Sequence, residues 1–196
     1  VGSEMCIRDR AYYPGETNFR GADILVINKV SAAGLAEIDR IMALRDELNP
    51  AAKVLQADLE VSVDEPEQLA GKRVLVLEDG PTTTHGGMHF GAGWVAASKY
   101  GVGEVIDPRP AAVGSIRETL ERYDQLRRVL PAMGYSESQR AELKATIEAS
   151  GAELILNGSP TDIAALLQLS LPVVPVRYRF TPRDGVDLLG EVMGLL

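Results

Sequence analysis

The stretch RVLVLEDGPTTTHGGMHFGAG at residues 73–93 decides the fold of this chain. It begins with a short apolar run that is typical of a buried strand, and it ends in small residues that are typical of a helix start. A polar, glycine-containing segment joins the two. A strand, a glycine-rich segment and a helix N-terminus in this order present backbone N–H groups to an anion. The stretch therefore predicts a phosphate site.

The polar segment offers the donors that a phosphate needs. Hydroxyl groups and flexible backbone N–H groups can approach a phosphate closely, and glycine permits that approach. His85 is predicted as a catalytic residue, either as a phosphate donor or as a proton carrier. The alternative is a surface loop rich in turn formers. The predicted phosphate-binding residues are Thr82, Thr83, Thr84, Gly86 and Gly87.

Two carboxylates end the apolar run. Glu78 and Asp79 are predicted as ligands of Mg²⁺ beside the phosphate. Neighbouring residues on a strand point to opposite sides, so one of the two is expected to face the site. The alternative is an ordinary strand-end turn, because Asp-Gly-Pro is turn chemistry. A zinc site at His85 and His89 is disfavoured, since glycines lie between them and no helix is expected there.

Composition limits the class of protein. The chain has 196 residues, a net charge of −8 and one cysteine, Cys6, so it cannot form an intrachain disulfide. The acidic balance argues against a nucleic-acid partner, and no apolar run is long enough to span a membrane. The sequence predicts a cytoplasmic protein that acts on a small phosphorylated substrate, with a homodimer left as one option.

Strand-like and helix-like segments alternate along the chain. Strands are predicted at 22–27, 53–57, 73–77, 104–106, 153–157 and 173–180, with helices between them, such as one from about residue 35 to residue 48 and one that Ser136 caps. Ser115 is expected to open another helix through a capping box, and residues 12–18 read as a loop. This alternation predicts an α/β fold with a mainly parallel sheet and helices on both faces, as in P-loop NTPases and Rossmann-like proteins.

Three further motifs suggest nucleotide or phosphate chemistry. Asn28 and Lys29 follow a strand as in the guanine-binding N-K-x-D motif, although Ser31 replaces the aspartate, and both are predicted to bind nucleotide. Arg109 lies between prolines in what should be a rigid, extended loop, where a guanidinium could bind phosphate as a catalytic group. G-x-G-x-x-A at 91–96 matches a dinucleotide fingerprint with Asp107 as its acid, but a strand should run directly into Gly91.

Several segments resemble the cyclic 2,3-diphosphoglycerate synthetase family, which is GTPase-like. They occur in family order as YPGETN at 13–18, ADILVINKV at 22–30, KRVLVLEDGPTTTHGGM at 72–88, GAG at 91–93, VIDPRPAAVGSI at 105–116, VLPAMGYS at 129–136, NGSPTDI at 157–163 and VPVRYRF at 174–180. The resemblance implies a ligase that uses ATP (or GTP) and Mg²⁺ to close an intramolecular phosphoanhydride in 2,3-diphosphoglycerate, releasing ADP and phosphate. A GTPase switch or chaperone is the first alternative, and a Rossmann-type dinucleotide-binding protein is the second.

The resemblance also implies how the chain is organised. The chain contains no G-x-x-x-x-G-K-[ST] motif, so the triphosphate-binding loop is expected upstream. Residues 11–196 would form the C-terminal part of the α/β nucleotide-dependent synthetase core, which would be inactive alone. Residues 1–10, VGSEMCIRDR, show no strand or helix pattern and are interpreted as an extraneous tail.

Overall fold

A computed structural model describes residues 15–31, 33–80, 91–126, 128–134 and 136–195. The described residues divide into two compact units, one formed by those from 15 to 60 together with those from 179 to 195, and one formed by those between 61 and 178. The predicted α/β class is confirmed, but the strands form two sheets instead of one. Within the described ranges, every helix is too short or too polar to cross a membrane.

The first unit is organised around a three-stranded sheet. Strands β1 (Ile24–Ile27), β2 (Lys53–Ser62) and β8 (Arg177–Pro182) lie in the order β1-β2-β8. β1 and β2 are parallel, with Ile24 opposite Lys53. Its helical segments are α1 (Gly15–Gly21), α2 (Leu35–Leu48), a 3-10 turn (Arg183–Gly185) and α7 (Leu188–Met193).

The second unit contains a five-stranded sheet with β3 (Arg73–Asp79) at its centre. β6 (Leu154–Asn157) flanks β3 on one side, and β7 (Val173–Pro175) follows β6 at the edge. β4 (Glu104–Val105) pairs with the first half of β3, and β5 (Leu130–Ala132) pairs with its second half. All of these pairings are parallel, so the carboxyl ends of the strands meet at one edge.

Helical segments connect these strands in the right order for parallel pairing. They are a 3-10 turn (Pro66–Leu69), α3 (Ala92–Lys99), a second 3-10 turn (Arg109–Ala111), α4 (Gly114–Arg122), α5 (Glu137–Ala149) and α6 (Ile163–Leu167). α3 packs on β3 and β6, and α4 packs on α5.

The core of the second unit forms on the two central strands. Leu75, Leu77, Ile155 and Leu156 are fully buried. Burial of a side chain of this size contributes roughly 1.5–3 kcal/mol. Continuous apolar runs of this kind are typical of parallel strands that are covered on both sides. The core therefore fixes where β3 and β6 end, and with them the polar residues that follow.

The predicted strand at 173–180 is divided in the structure. β7 ends at Pro175 and β8 begins at Arg177, and the two belong to different sheets. Proline has no N–H to donate, which suits the edge position that β7 occupies, as expected. Val176 between them donates its N–H to the Asn157 carbonyl oxygen at 2.8 Å.

Two predictions about helix starts had different outcomes. Ser136 does cap α5 through a complete capping box with Gln139. Ser115 does not cap α4, because the helix begins one residue earlier and has no side-chain cap. Ser115 instead donates its N–H and its hydroxyl to the Glu142 carboxylate. Ser115 thus forms its hydrogen bonds with a residue of α5, and not with the first turn of its own helix.

The predicted loop at residues 12–18 was wrong for its second half. Gly15–Gly21 is helical, and the neighbouring Asn49 explains how this segment is held. The Asn49 side-chain amide donates to the Phe19 carbonyl at 2.9 Å and to the Ala22 carbonyl at 2.8 Å. Asn49 directly follows the last residue of α2 and connects it to the α1 segment.

Replacing Asn49 with Ala should destabilise the protein by about 1–3 kcal/mol, because two carbonyl groups lose their donor beside a buried side chain. Urea unfolding followed by circular dichroism measures this change. Glu47→Ala, at an exposed position of the same helix, should stay within about 0.5 kcal/mol of wild type. Equal stabilities for the two variants would contradict the role given to Asn49.

Candidate functional site

A cleft opens at the carboxyl ends of the central strands in the second unit. Its volume is about 320 Å³. This is the edge of a parallel sheet at which α/β proteins bind their ligands. The residues that line it come from the end of β3, the start of α3, the turn after β6 and the passage from β7 to β8: Glu78, Asp79, Gly91, Gly158, Ser159, Pro160, Val176 and Tyr178.

The Glu78 carboxylate lies at the N-terminus of α3. Its Oε1 atom accepts the N–H of Gly91 at 3.0 Å and the N–H of Trp94 at 2.8 Å. The Gly93 N–H also donates to this carboxylate. A negative charge is favourable there, because the helix dipole places partial positive charge on the free N–H groups. The donors that were predicted to bind phosphate at this helix start thus bind a side chain of the protein itself.

Burial raises the pKa of Glu78 above its ordinary value. The side chain is only 2% exposed, and loss of water disfavours the charged form. The N–H groups of Trp94, Gly93 and Gly91 act in the opposite direction, and the charge of Asp79 adds to the rise. Glu78 is therefore a buried carboxyl group whose protonation depends on its contacts with α3.

Glycines allow the strand, the helix and the turn to come close together around Glu78. A Cβ atom on Gly158 would lie 2.5 Å from Glu78 Oε2 and 2.6 Å from the Gly93 nitrogen. A Cβ atom on Gly93 would lie 2.8 Å from a methyl carbon of Val76. The small residues at 91–96 thus serve close packing, and the dinucleotide interpretation was wrong, because residues 80–91 separate β3 from α3.

Asn157, the last residue of β6, holds the turn that carries Ser159 to the cleft. Its side-chain oxygen accepts the N–H of Ser159 at 3.0 Å and the Ser159 hydroxyl at 2.8 Å. Its side-chain nitrogen donates to the Thr161 carbonyl at 2.8 Å. Asn157 and Ser159 belong to the NGSPTDI segment at 157–163, to which the sequence analysis gave no role. Tyr178 was not predicted, because it reaches the cleft only through the division of the last strand.

The predicted phosphate-binding residues and His85 lie at 81–90, outside the described part of the chain. Their roles stay predictions. Within the described residues, no three or more His, Cys, Asp or Glu side chains are grouped to hold a metal ion. Glu78 accepts the N–H groups of Gly91 and Trp94 through its Oε1 atom. The assignment of Glu78 and Asp79 as metal ligands stays a prediction.

Arg109 lies away from the cleft and has a protein partner. The backbone at 109–111 is a 3-10 turn, so the predicted extended conformation was wrong. The Arg109 Nε atom donates to both carboxylate oxygens of Asp107, at 2.9 and 3.1 Å, and this contact holds the pKa of Asp107 below its ordinary value. Arg109 instead borders a cavity of about 150 Å³ beside Arg117 and α4. Its catalytic role stays a prediction.

The Asn28-Lys29 turn belongs to the first unit and has a defined geometry. The Asn28 side chain accepts the Lys29 N–H at 2.8 Å, and Lys29 has a left-handed backbone with φ +60°. Ser31, where a guanine-specific motif has aspartate, donates its N–H and its hydroxyl to Asp58 at 2.7 Å each. Asp58 also accepts from Arg183 at 3.0 Å. The contacts with Ser31 and Arg183 lower the pKa of Asp58. The left-handed backbone of Lys29, which costs energy for a residue other than glycine, lies in the same turn.

Two comparisons with known proteins bear on this geometry. No protein-family model matches the chain. The arginine synthetase ArcE of Thermococcus kodakarensis is 50% identical over 182 residues, which are 93% of this chain and 40% of that protein. The chain is therefore similar to part of a synthetase and spans less than half of its length.

This match corrects the activity inferred from the sequence. The similar protein is named for arginine, so the cyclic 2,3-diphosphoglycerate interpretation was wrong. Resemblance of ordered segments had identified a synthetase but not its substrate. The same match favours a synthetase over a GTPase switch or chaperone.

Replacing Gly158 with Ala should destabilise the protein by about 1–3 kcal/mol, because the new methyl group would overlap a buried carboxylate and a backbone nitrogen. Thermal and urea unfolding measure the loss. Gly21→Ala is the matched control, since a Cβ atom there meets nothing within 4 Å. It should be neutral or stabilising. If Gly158→Ala were as stable as Gly21→Ala, a methyl group would fit at Gly158, and the prediction of steric overlap with Glu78 and Gly93 would be wrong.

The pH dependence of stability should report the raised pKa of Glu78. Above pH 4.5, its ordinary value, the unfolded chain loses a proton that the folded protein retains, so the contribution of Glu78 falls as pH rises. The free energy of unfolding of Glu78→Gln, measured against that of wild type, should therefore rise as the pH increases from 4.5 to the raised pKa of folded Glu78, and level off above it. Glu153→Gln removes a carboxylate with a lowered pKa and should show no such trend above that pH. Parallel curves for both variants would contradict the assignment.

Proposed function

We propose that the full-length protein is an ATP-dependent synthetase of the ligase type and that its product is arginine. The main support for this proposal is the 50% identity to the arginine synthetase of Thermococcus kodakarensis over nearly the whole chain. Because this chain spans 40% of that protein, the reaction is proposed for the longer protein. In this proposal the chain supplies substrate-binding surfaces and shares the nucleotide with residues outside it.

The cleft beyond β3 and β6 is our candidate for the substrate side of the reaction. It lies where parallel sheets bind ligands, and a fully buried core fixes its walls. Synthetase chemistry that uses a nucleotide depends mostly on positioning and charge stabilisation. The rigid contacts of Glu78 with α3 and of Asn157 with its turn would supply that positioning. They hold the polar groups of Ser159 and Asp79 at the edge of the cleft.

The Asn28-Lys29 turn is our candidate for nucleotide contact. Lys29 is exposed and is held in a left-handed conformation by a surrounding hydrogen-bond network. Such strain is common where a protein holds a group ready for a ligand. Ser31 has a hydroxyl group where a guanine-specific motif has a carboxylate. The nearby Asp58 carboxylate already accepts hydrogen bonds from Ser31 and Arg183. That arrangement favours ATP over GTP.

The reverse reaction tests the proposal and does not require the identity of the other substrates. Full-length protein incubated with arginine, ADP, phosphate and Mg²⁺ should form ATP, detected by luciferase, because a synthetase also catalyses the return reaction. GDP in place of ADP should give less than a tenth of the rate. A second arm with AMP and pyrophosphate covers the other way in which ligases cleave ATP. Absence of arginine-dependent ATP formation in both arms would refute the proposed function.

A further inference from the structure

We propose that the open edge of β1 pairs in parallel with a strand that precedes α1 in the full-length protein, so that the sheet of the first unit continues past β1. The pairing goes beyond the proposed function and does not depend on it. Four properties of the first unit support it: the direction of the backbone groups of β1, the apolar sequence of that strand, the small core around it, and the helix that leads into it.

β1 is an outer strand of its three-stranded sheet. The Asp23 carbonyl accepts the Lys53 N–H at 2.8 Å, and Ile24 lies opposite Lys53 in the parallel register. Backbone groups alternate in direction along a pleated strand, so the N–H and carbonyl groups of Ile24 and Val26 point away from β2. Among the described residues, no strand pairs with that side. β1 therefore offers a row of backbone donors and acceptors to a further strand.

The sequence of β1 is that of an interior strand. Its four residues, ILVI, form a continuous apolar run without the charge or proline that commonly protects an edge from pairing. Of these four, only Ile27 is buried. The similar run VLVL of β3, at 74–77, is fully buried between strands on both sides. Since such runs are typical of strands covered all round, β1 has the composition of a strand with two neighbours.

The cluster of buried apolar residues around β1 is small. In the part of the chain that the structure describes, its buried members are Ile27, Val30 and Ile38. The second unit has a far larger cluster on its central strands. A unit that buries so little apolar surface is marginally stable unless something else covers it. A strand added beside β1 would cover more of its apolar side chains and enlarge this core.

α1 indicates which segment supplies the added strand. It ends shortly before β1, and Asn49 holds the junction by donating to the carbonyl groups of Phe19 and Ala22. Within the described structure no residue of α1 is buried, although a helix that connects parallel strands normally packs on their sheet. A strand, a helix and a strand in succession place the two strands side by side and parallel, as β1, α2 and β2 show. Because β2 occupies one side of β1, a strand that precedes α1 fits the other side.

The full-length protein has room for this strand. The chain spans 40% of the similar synthetase, so more than half of that protein lies outside the matched part. Parallel strands end at the same edge of a sheet, and the carboxyl end of the added strand would therefore lie beside Asn28 and Lys29. Residues that follow the added strand would then share the nucleotide with Lys29. This consequence rests on the proposed function, whereas the pairing does not.

Amide hydrogen exchange of the full-length wild-type protein, resolved to single residues, tests the pairing without any substitution. The Val26 N–H points to the open edge, and the Leu25 N–H points to β2 and serves as the internal control. If a strand pairs with β1, the two amides open together, and their protection factors should agree within about tenfold. A protection factor for Val26 that is lower than that of Leu25 by more than about tenfold would overturn the inference.

A photoactivatable diazirine amino acid placed at Val26 of the full-length protein identifies the partner. Neighbouring strands lie about 4.8 Å apart, so the probe should cross-link to Leu55, which lies opposite Val26 on β2, and to a peptide that precedes α1. The same probe at Leu55 is the matched control. It lies one strand further from the proposed partner and should cross-link to β1 without reaching that peptide.

The cross-link from Val26 to Leu55 shows that the probe reacts, so it makes a missing partner meaningful. Cross-linking to Leu55 without any link to residues before α1 would overturn the inference. Links to a second copy of the chain, seen by mass spectrometry and as a dimer on a denaturing gel, would also overturn it, because the open edge would then serve self-association.

Neither measurement depends on catalysis, so the outcomes separate this inference from the proposed function. If Val26 is protected and cross-links to a peptide before α1 but no arginine-dependent ATP forms, the function fails and the pairing stands. If arginine-dependent ATP forms but the Val26 amide exchanges freely, the pairing fails and the function stands.

Discussion

The contact between the Glu78 carboxylate and the N-terminus of α3 is the constraint on which the described site depends. A buried carboxylate is costly unless several donors satisfy it. Here the N–H groups of Gly91, Gly93 and Trp94 do so, and they can reach it only because glycines remove the Cβ atoms from the interface. This one interaction fixes where the helix begins, how closely it packs on β3 and β6, and which charges remain at the cleft.

The same contact occupies the N–H groups that a helix start offers to an anion. A strand followed by a polar segment and a helix start is commonly an anion site, because the helix N–H groups are free. In this protein an internal carboxylate occupies those groups, and Asp79 adds a second negative charge at the cleft. A local pattern that commonly binds an external anion thus binds a carboxylate of the protein itself.

Local residue patterns predicted most of the helices and strands, but they predicted fewer of the contacts that individual side chains make. Ser136 caps its helix because both halves of the capping box lie within four residues, whereas Ser115 was misassigned because its partner, Glu142, lies on another helix. Arg109 pairs with Asp107, two residues away, because the chain turns at 109–111 and does not extend as the flanking prolines predicted. The cleft's position at the strand ends was predictable, but Tyr178 was not.

The sequence by itself determined the α/β class, the order of the elements and the edge at which polar groups collect, because apolar periodicity and strand ends are local properties. Only the tertiary structure decided that the strands form two sheets, that Pro175 ends one strand before another begins, and that Glu78 faces the start of α3. These outcomes depend on contacts between residues far apart in the chain. The direction of a side chain at a strand end is decided by what packs against it, and the start of α3 is what packs against Glu78.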